Sequence, residues 1–239
     1  MLLKAFLDIL FPPLCHGCKA FIPDAGAIHL CESCLAGSPF VASPHCTICG
    51  LPFLTEGGTD HLCGGCIEAP PPFAAARAAM LFDGPVRELI HRFKYGNKVQ
   101  HSRPLGLLTA QRLDEFAAGC AADLLIPVPL HLKRLRQRSF NQAVLLGEHL
   151  AKQWRIPLSR DNLRRMRWTE PQISLSAAER RENVRGAFAV RDTAGIRNRR
   201  VILVDDVYTT GCTVAECAKT LRNGGAAAVF VVTVARAMQ

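Results

Sequence analysis

The sequence predicts an α/β protein in which a mostly parallel sheet, with helices on both faces, follows a small metal-held N-terminal segment. From residue 73 onward, short apolar runs alternate with amphipathic helical patterns, as in parallel strands joined by helical crossovers. Eight of the eleven cysteines lie in the first 66 residues as Cys-x-x-Cys pairs. The stiff run Ala69 to Pro72 separates the two regions. We therefore expect two domains, residues 1–69 and 70–239.

The N-terminal run from Met1 to Leu14 is apolar but is interrupted by Lys4, Asp8 and two prolines. It is too short to cross a bilayer and has no small-residue cleavage site. We expect an amphipathic helix packed on the protein, no transmembrane segment and a cytoplasmic location. A helix lying on a membrane surface is the alternative.

The paired cysteines indicate two structural zinc ions. Each site would have four thiolates and no open position, which is typical of a structural rather than a catalytic centre. The simplest grouping is sequential, although the spacing also allows a cross-braced arrangement of pairs one with three and two with four. The sequential grouping assigns Cys15, Cys18, Cys31 and Cys34 to the first ion, and Cys46, Cys49, Cys63 and Cys66 to the second.

The elements of the second region follow from its hydrophobic patterns. A helix opens at Gly84-Pro85, because Val86, Leu89, Ile90 and Phe93 share one face. We expect further helices over 104–118, 140–154 and 214–222. Apolar runs predict strands at 73–82, 124–128, 187–190, 201–204 and 229–234, and residues 156–166 are strand-like. Residues 168–185, which are polar and charged, look like a mobile loop.

The run from Val201 to Thr213 indicates a site for a phosphorylated sugar. An apolar strand precedes Asp205 and Asp206, and a loop with three threonines and one glycine leads into a helix. Ligands of open α/β sheets bind at the carboxyl ends of strands, and a helix N-terminus favours an anion. Ionised carboxylates accept hydrogen bonds from sugar hydroxyls. A helix-capping role would explain one acid but not two.

A basic segment provides the second set of candidate residues. Residues 131–200 contain 17 Lys and Arg against 6 Asp and Glu, so an anionic ligand or nucleic acid should meet this part of the chain. The strand ending at Pro129 is followed by a basic loop with Arg134, Arg136 and Arg138, suited to a second anionic group such as pyrophosphate. A solvated basic surface is the plain alternative.

The chain as a whole resembles the ComF (competence protein F) family, which joins a double zinc ribbon to a type I phosphoribosyltransferase domain. The matching pieces cover nearly the whole sequence: Phe11 to Cys15, the paired cysteines, Phe93 to Gly96, Pro127 to Leu130, Arg138 to Gln142, Gln172 with Leu175, Arg180 with Asn183 and Phe188, and Asp205 to Thr213. Ser139 departs from the pattern, since the family usually has glycine there. Serine would cost stability if that position needs a positive φ.

The resemblance implies that the site binds phosphoribosyl pyrophosphate (PRPP) together with Mg²⁺. Asp205 and Asp206 would hold the ribose hydroxyls and act as the catalytic residues, with Lys94 and Arg138 also binding PRPP. The loop formed by Thr209, Thr210, Gly211, Cys212 and Thr213 would wrap the 5′-phosphate. Mg²⁺ would be held largely by substrate oxygens and water.

Two functional hypotheses remain open. The first is a phosphoribosyltransferase linked to competence, the uptake of DNA in natural transformation. The second, implied by the same resemblance, is a non-catalytic protein that handles single-stranded DNA, with a competence helicase or other DNA-uptake proteins as partners. Trp154, Trp168 and Phe140, which lie within the basic segment, would stack bases in that case.

Overall fold

The computed structural model describes residues 11–23, 26–55, 57–96, 98–169 and 176–238, without the side chains of residues 177 and 178. The part of the predicted N-terminal helix before residue 11 lies outside these ranges, as do Gln172 and Leu175. No helix within the described ranges combines the length and apolar character needed to cross a bilayer.

A four-stranded parallel sheet forms the centre of the molecule and confirms the predicted fold class. Its order is β1-β6-β5-β2, with β1 at Ala75–Leu81, β2 at Leu124–Pro127, β5 at Arg200–Tyr208 and β6 at Ala228–Arg236. All three pairings are parallel. The strand β5 is longer than predicted, so Asp205 and Asp206 lie within its carboxyl-terminal part rather than after it.

Helices cover both faces of this sheet. One face packs against α9 (Cys212–Asn223), whose buried residues contact Val201, Leu203 and Val231 of the central strands. The other face carries Ile202, Val204 and Val232 and packs against four helices: α3 at Gly84–Tyr95, α4 at Ser102–Arg112, α5 at Asp114–Cys120 and α7 at Gln142–Trp154. The alternation of neighbouring β5 residues between two cores explains why Val201 to Val204 are all apolar.

Several helical boundaries differ from the sequence prediction. The helix expected over 104–118 is two helices, α4 and α5 (Asp114–Cys120), which meet at Leu113. A 3₁₀ turn at Val99–His101 precedes α4. The supposed basic loop contains a helix, α6 (Leu132–Arg138), which has no buried residue and therefore shows no apolar face in the sequence. Ser139 ends it at φ +64°, the positive angle that favours glycine.

The segment expected to be a mobile loop contains α8 (Ala177–Val184), and this part of the prediction was wrong. Ser176 accepts from the backbone N–H of Glu179, whose side chain accepts from the N–H of Ser176. This capping box satisfies two backbone donors at the start of the helix. The strand-like stretch before it contributes only β3 (Leu163–Arg165), which pairs antiparallel with β4 (Phe188–Val190) in a separate two-stranded sheet.

The N-terminal segment contains two short helices, α1 (Glu32–Ala36) and α2 (Gly64–Glu68), each beginning directly after a cysteine. This segment adds backbone hydrogen bonds to β1, among them Ala76 N–H to the Ile48 carbonyl at 2.6 Å. Gly50 has φ +69°, and a Cβ at this position would lie 2.5 Å from the Ala76 oxygen. The close approach therefore requires glycine. The boundary at residue 69 or 70 stays a prediction.

Candidate functional site

The eight paired cysteines form two separate clusters with the sequential grouping. Within Cys15, Cys18, Cys31 and Cys34, and within Cys46, Cys49, Cys63 and Cys66, all ligand atoms lie within 4.8 Å of one another. We call these the first and second clusters. The sulfur of Cys49 lies 3.7 Å from that of Cys63. Four sulfurs arranged tetrahedrally at about 2.3 Å from zinc would be about 3.8 Å apart, so the clusters fit zinc.

Backbone donors point at sulfurs in both clusters. The N–H of Cys31 lies 3.3 Å from the sulfur of Cys15, and the N–H of Cys63 lies 3.4 Å from that of Cys46. Burial opposes ionisation of Cys46, but the backbone N–H groups of residues 63, 49 and 48 outweigh it and lower its pKa to about 6. Donors of this kind stabilise thiolates, the form that binds zinc.

The acid pair on β5 meets a lysine from α3. Lys94 Nζ lies 2.8 Å from Asp206 Oδ1, and the backbone N–H of Asp206 donates to Asp205 Oδ1 at 2.9 Å. Asp206 is only 7% exposed. Burial, followed by the charge of Asp206, raises the pKa of Asp205 to about 7, although Lys94 opposes the shift. The site thus pairs Asp206 with a lysine beside a second acid, Asp205, whose pKa is raised to about 7.

The loop after β5 turns sharply into α9. Gly211 is the N-cap of α9 at φ +77°, and Thr210 Oγ1 donates to Cys212 Sγ at 3.2 Å. A Cβ on Gly211 would lie 2.2 Å from the hydroxyl oxygen of Tyr208. Glycine is therefore required both by the backbone angle and by the tyrosine beneath the loop. Since Gly211 has no side chain to cap α9, the first turn of this helix is suited to an anion.

A cavity of about 1190 Å³ joins the acid pair, the loop and the basic helix α6. The predicted residues that line it are Lys94, Arg138, Asp205, Asp206, Thr209, Gly211, Cys212 and Thr213. Arg138 stacks on Tyr95, with its guanidinium carbon 4.9 Å from the ring centroid, and it donates to Gln142 Oε1 at 3.3 Å. The structure therefore brings together predicted residues from three distant segments of the sequence, although Thr210 does not line the cavity.

Arg165 also lines this cavity, although no pattern in the sequence places it there. Its guanidinium stacks over Phe188 at 5.4 Å and donates to the hydroxyl of Thr169. The Nε atoms of Arg165 and of Arg180, another lining residue, are buried without a hydrogen-bond partner in the described ranges. Burial lowers the pKa of Arg165, whereas the carboxylate of Asp205 counteracts that effect. Arg165 reaches the cavity because β3 lies beside the sheet, and only the structure shows this position.

Comparison with protein families gives two matches along the chain. Residues 6–67 match the double zinc ribbon domain, and residues 141–239 match the phosphoribosyl transferase domain. The strands β5 and β6, the acid pair and the hydroxyl-rich loop belong to the second region, and the two cysteine clusters belong to the first. Fold and site thus define a type I phosphoribosyltransferase-like protein with an N-terminal double zinc ribbon.

Curated relatives extend this assignment to nearly the whole chain. DNA utilization protein YhgH of Escherichia coli is 32% identical over 224 residues, which cover 92% of this chain and 95% of the relative. Competence protein F of Haemophilus influenzae is 37% identical over 160 residues, covering 64% and 69%. Competence protein ComFC of Bacillus subtilis is 35% identical over 105 residues, covering 44% and 40%. The chain belongs to the ComF family.

Comparison with solved structures finds partial similarity at low identity. Glutamine PRPP amidotransferase from B. subtilis matches 59% of this chain with 23% identity and a TM-score of 0.38. This chain spans about a quarter of that protein, the aligned part being 26% of its length. A hypoxanthine phosphoribosyltransferase from Trypanosoma cruzi has a TM-score of 0.38, with 16% identity over 58% of this chain and 73% of its own.

Proposed function

We propose that this protein binds PRPP with Mg²⁺ in the cavity at the carboxyl end of the sheet, and that it acts in DNA uptake in the cytoplasm. The observation that supports this most is the convergence of three parts on one cavity: the acid pair, the loop of residues 209–213 and the arginines. Each part matches a different portion of PRPP. The link to competence rests on the names of the relatives, Competence protein F and DNA utilization protein.

The ribose would lie on Asp205 and Asp206, because carboxylates accept from its two hydroxyls. Its 5′-phosphate would take the first turn of α9, where the helix dipole and backbone donors favour an anion. Arg138 and Arg165 would face the pyrophosphate, since guanidinium groups match phosphate oxygens. Mg²⁺ would be held mostly by pyrophosphate oxygens and water, with the acid pair as the nearest protein oxygens.

This arrangement suits transfer of the phosphoribosyl group. The bond between ribose C1′ and the pyrophosphate oxygen breaks, the electron pair leaves with pyrophosphate, and an acceptor forms a new bond to C1′. Positive charge develops on the sugar, as in glycoside cleavage. Asp205 and Asp206 would stabilise that charge, and the cavity arginines would stabilise the leaving group by electrostatics.

Calorimetric titration with PRPP and Mg²⁺ tests the binding proposal. The double variant Asp205→Asn, Asp206→Asn keeps the size of both side chains but removes carboxylate acceptors. Each lost charged hydrogen bond is worth roughly 1.5–3 kcal/mol, so the affinity should fall at least about tenfold. Asp114→Asn, at an exposed acid on α5, is the control and should bind like the parent. A parent protein that does not bind PRPP would refute the proposal.

A second candidate function is the binding of single-stranded DNA, favoured by one surface feature. Lys133 Nζ lies 4.7 Å from the ring centroid of Trp168, and the ring of His131 lies 5.4 Å from it. The tryptophan thus sits beside the basic helix α6, where a base could stack while phosphates meet arginines. A competence helicase or another DNA-uptake protein would be the partner in this role.

Salt titration of an oligonucleotide complex tests this second function. Affinity should fall steeply with rising salt, because binding releases counterions. Trp168→Ala should weaken binding several-fold, since stacking of one base is worth about 1–3 kcal/mol. Trp154→Phe is the control, because Trp154 packs with the core and donates to the Ala110 carbonyl at 3.2 Å. Equal affinities of the two variants would argue against this surface.

A further inference from the structure

The buried arginine at the end of β6 connects the second cluster with the sheet. Arg236 is 7% exposed. Its Nη1 donates to the Cys49 carbonyl at 2.6 Å, and its Nη2 lies 3.8 Å from the Cys49 sulfur. Among the described residues, no carboxylate forms a salt bridge with it. A buried guanidinium needs a counter-charge. Four thiolates around one Zn²⁺ carry a net charge of about −2 and would supply it.

The same arginine packs on the residue that supports the loop of the ligand site. The Arg236 guanidinium carbon lies 4.4 Å from the ring centroid of Tyr208, and the two residues are register partners in the pairing of β5 with β6. The tyrosine ring is buried and its hydroxyl lies directly beneath Gly211. A movement of this ring would therefore displace the backbone of Gly211.

From these contacts we propose that Arg236 is a positioning residue, through which the zinc-bound second cluster holds the loop of residues 209–213 in its phosphate-binding conformation. Arg236 and Tyr208 do not line the ligand cavity, whereas Gly211, Cys212 and Thr213 do. The arginine therefore acts through the tyrosine and the glycine. This inference rests on the proposed function for its consequence, because it makes phosphate affinity depend on the metal state of the second cluster.

The first test measures the loop without any ligand. In Arg236→Met, the side chain keeps much of its length but loses its charge and donors. Amide hydrogen exchange of residues 209–213 should increase at least about fivefold, because the tyrosine beneath the loop is released. Exchange of residues 132–138 on the opposite side of the cavity should not change. Unaltered exchange of the loop, with two zinc ions still bound per chain, would overturn the proposal.

A matched control distinguishes this effect from a general loss of contact between the N-terminal segment and the rest of the chain. Arg112 donates to the Val41 carbonyl at 3.0 Å and stacks over Phe40 at 5.5 Å, but it does not line the ligand cavity. Arg112→Met should leave loop exchange unchanged. An equal increase in Arg112→Met and Arg236→Met would overturn the proposal, since the effect would not pass through Tyr208.

The metal itself is tested by single cysteine variants. Cys63→Ser removes one ligand of the second cluster, and Cys18→Ser removes one ligand of the first. Loop exchange should rise in Cys63→Ser only. If Cys63→Ser or Arg236→Met fails to fold, loop exchange is measured in Arg236→Lys instead. Lysine keeps the charge but loses the paired donors, so a smaller increase in exchange is expected. No increase would count against the inference.

Measurement of PRPP affinity distinguishes a failure of this inference from a failure of the proposed function. Titration with PRPP and Mg²⁺ should show a loss of at least about fivefold in Arg236→Met and none in Arg112→Met. Full affinity in Arg236→Met would overturn the positioning role while leaving the proposed function intact. A parent protein that does not bind PRPP would refute the proposed function, and the ligand-free exchange comparison would still decide whether the second cluster holds the loop.

Discussion

Replacement of Asp205 by asparagine should stabilise the protein above neutral pH and remove a specific part of its pH dependence. The folded-state pKa of Asp205 is raised from 3.8 to about 7, first by burial and then by Asp206. The folded state therefore binds this proton more tightly than the unfolded state. Stability from this group is fully present below the unfolded pKa and is lost as the pH rises through the folded pKa.

The size of the effect follows from these two pKa values. Between about pH 6 and pH 8 the unfolded carboxyl is already ionised, while the folded one loses its proton. Linkage then predicts that the parent loses on the order of 1 kcal/mol of unfolding free energy over this range. Asp205→Asn has no proton to lose at this position, so its stability advantage over the parent should grow by about that amount.

Urea unfolding of both proteins at each pH measures this difference. All other titratable groups are common to both proteins, so their contribution cancels when the two are compared. Asp114→Asn, which replaces an exposed acid, should follow the parent. If the unfolding free energies of Asp205→Asn and the parent change in parallel with pH, the raised pKa of Asp205 is wrong.

Three further predictions concern the loops and the metal. Gly211→Ala should destabilise the protein by about 2 kcal/mol or more, because strain of about 1–2 kcal/mol at positive φ adds to the clash with Tyr208. The control is Gly186→Ala, at φ +63° in open space. In the same unfolding assay it measures the cost of the positive φ without a clash. Ser139→Gly should raise the unfolding midpoint by relieving φ +64°, with a gain of up to about 1 kcal/mol. Metal analysis should find two zinc ions per chain, and a strong chelator that removes them should lower the melting temperature; iron in their place would contradict the assignment.

The sheet and its two helical layers could be predicted because their apolar residues are read directly from the sequence. The four predicted core residues of α3 are all fully buried, and Val201 to Val204 of β5 are apolar on both faces of the sheet. In contrast, α6 buries none of its residues, so hydrophobic periodicity contains no signal for it. For α8 a signal existed, since Ser176 and Glu179 have the spacing of a capping box, but the surrounding charge obscured it.

In the candidate site, too, contiguous residues could be predicted from the sequence, whereas contacts between separate elements could not. Asp205, Asp206 and the loop after them are contiguous, so the sequence alone indicates a phosphorylated ligand. The pairing of Lys94 with Asp206 joins residues on separate elements, and only the family resemblance associated them. Arg165 and Arg236 contribute through contacts with residues far away in the chain, for which a single sequence offers no pattern.

The strand order has a consequence for how this chain folds as it is made. β6 lies between β1 and β5, yet it comes last in chain order among the strands described. The cysteine clusters need only nearby residues, whereas the contact of Arg236 with Cys49 spans 187 residues. During synthesis both clusters can therefore bind metal while the sheet still lacks its inner strand. Until β6 pairs with them, β1 and β5 have unpaired edges, and a contact between residues so distant in the chain forms slowly.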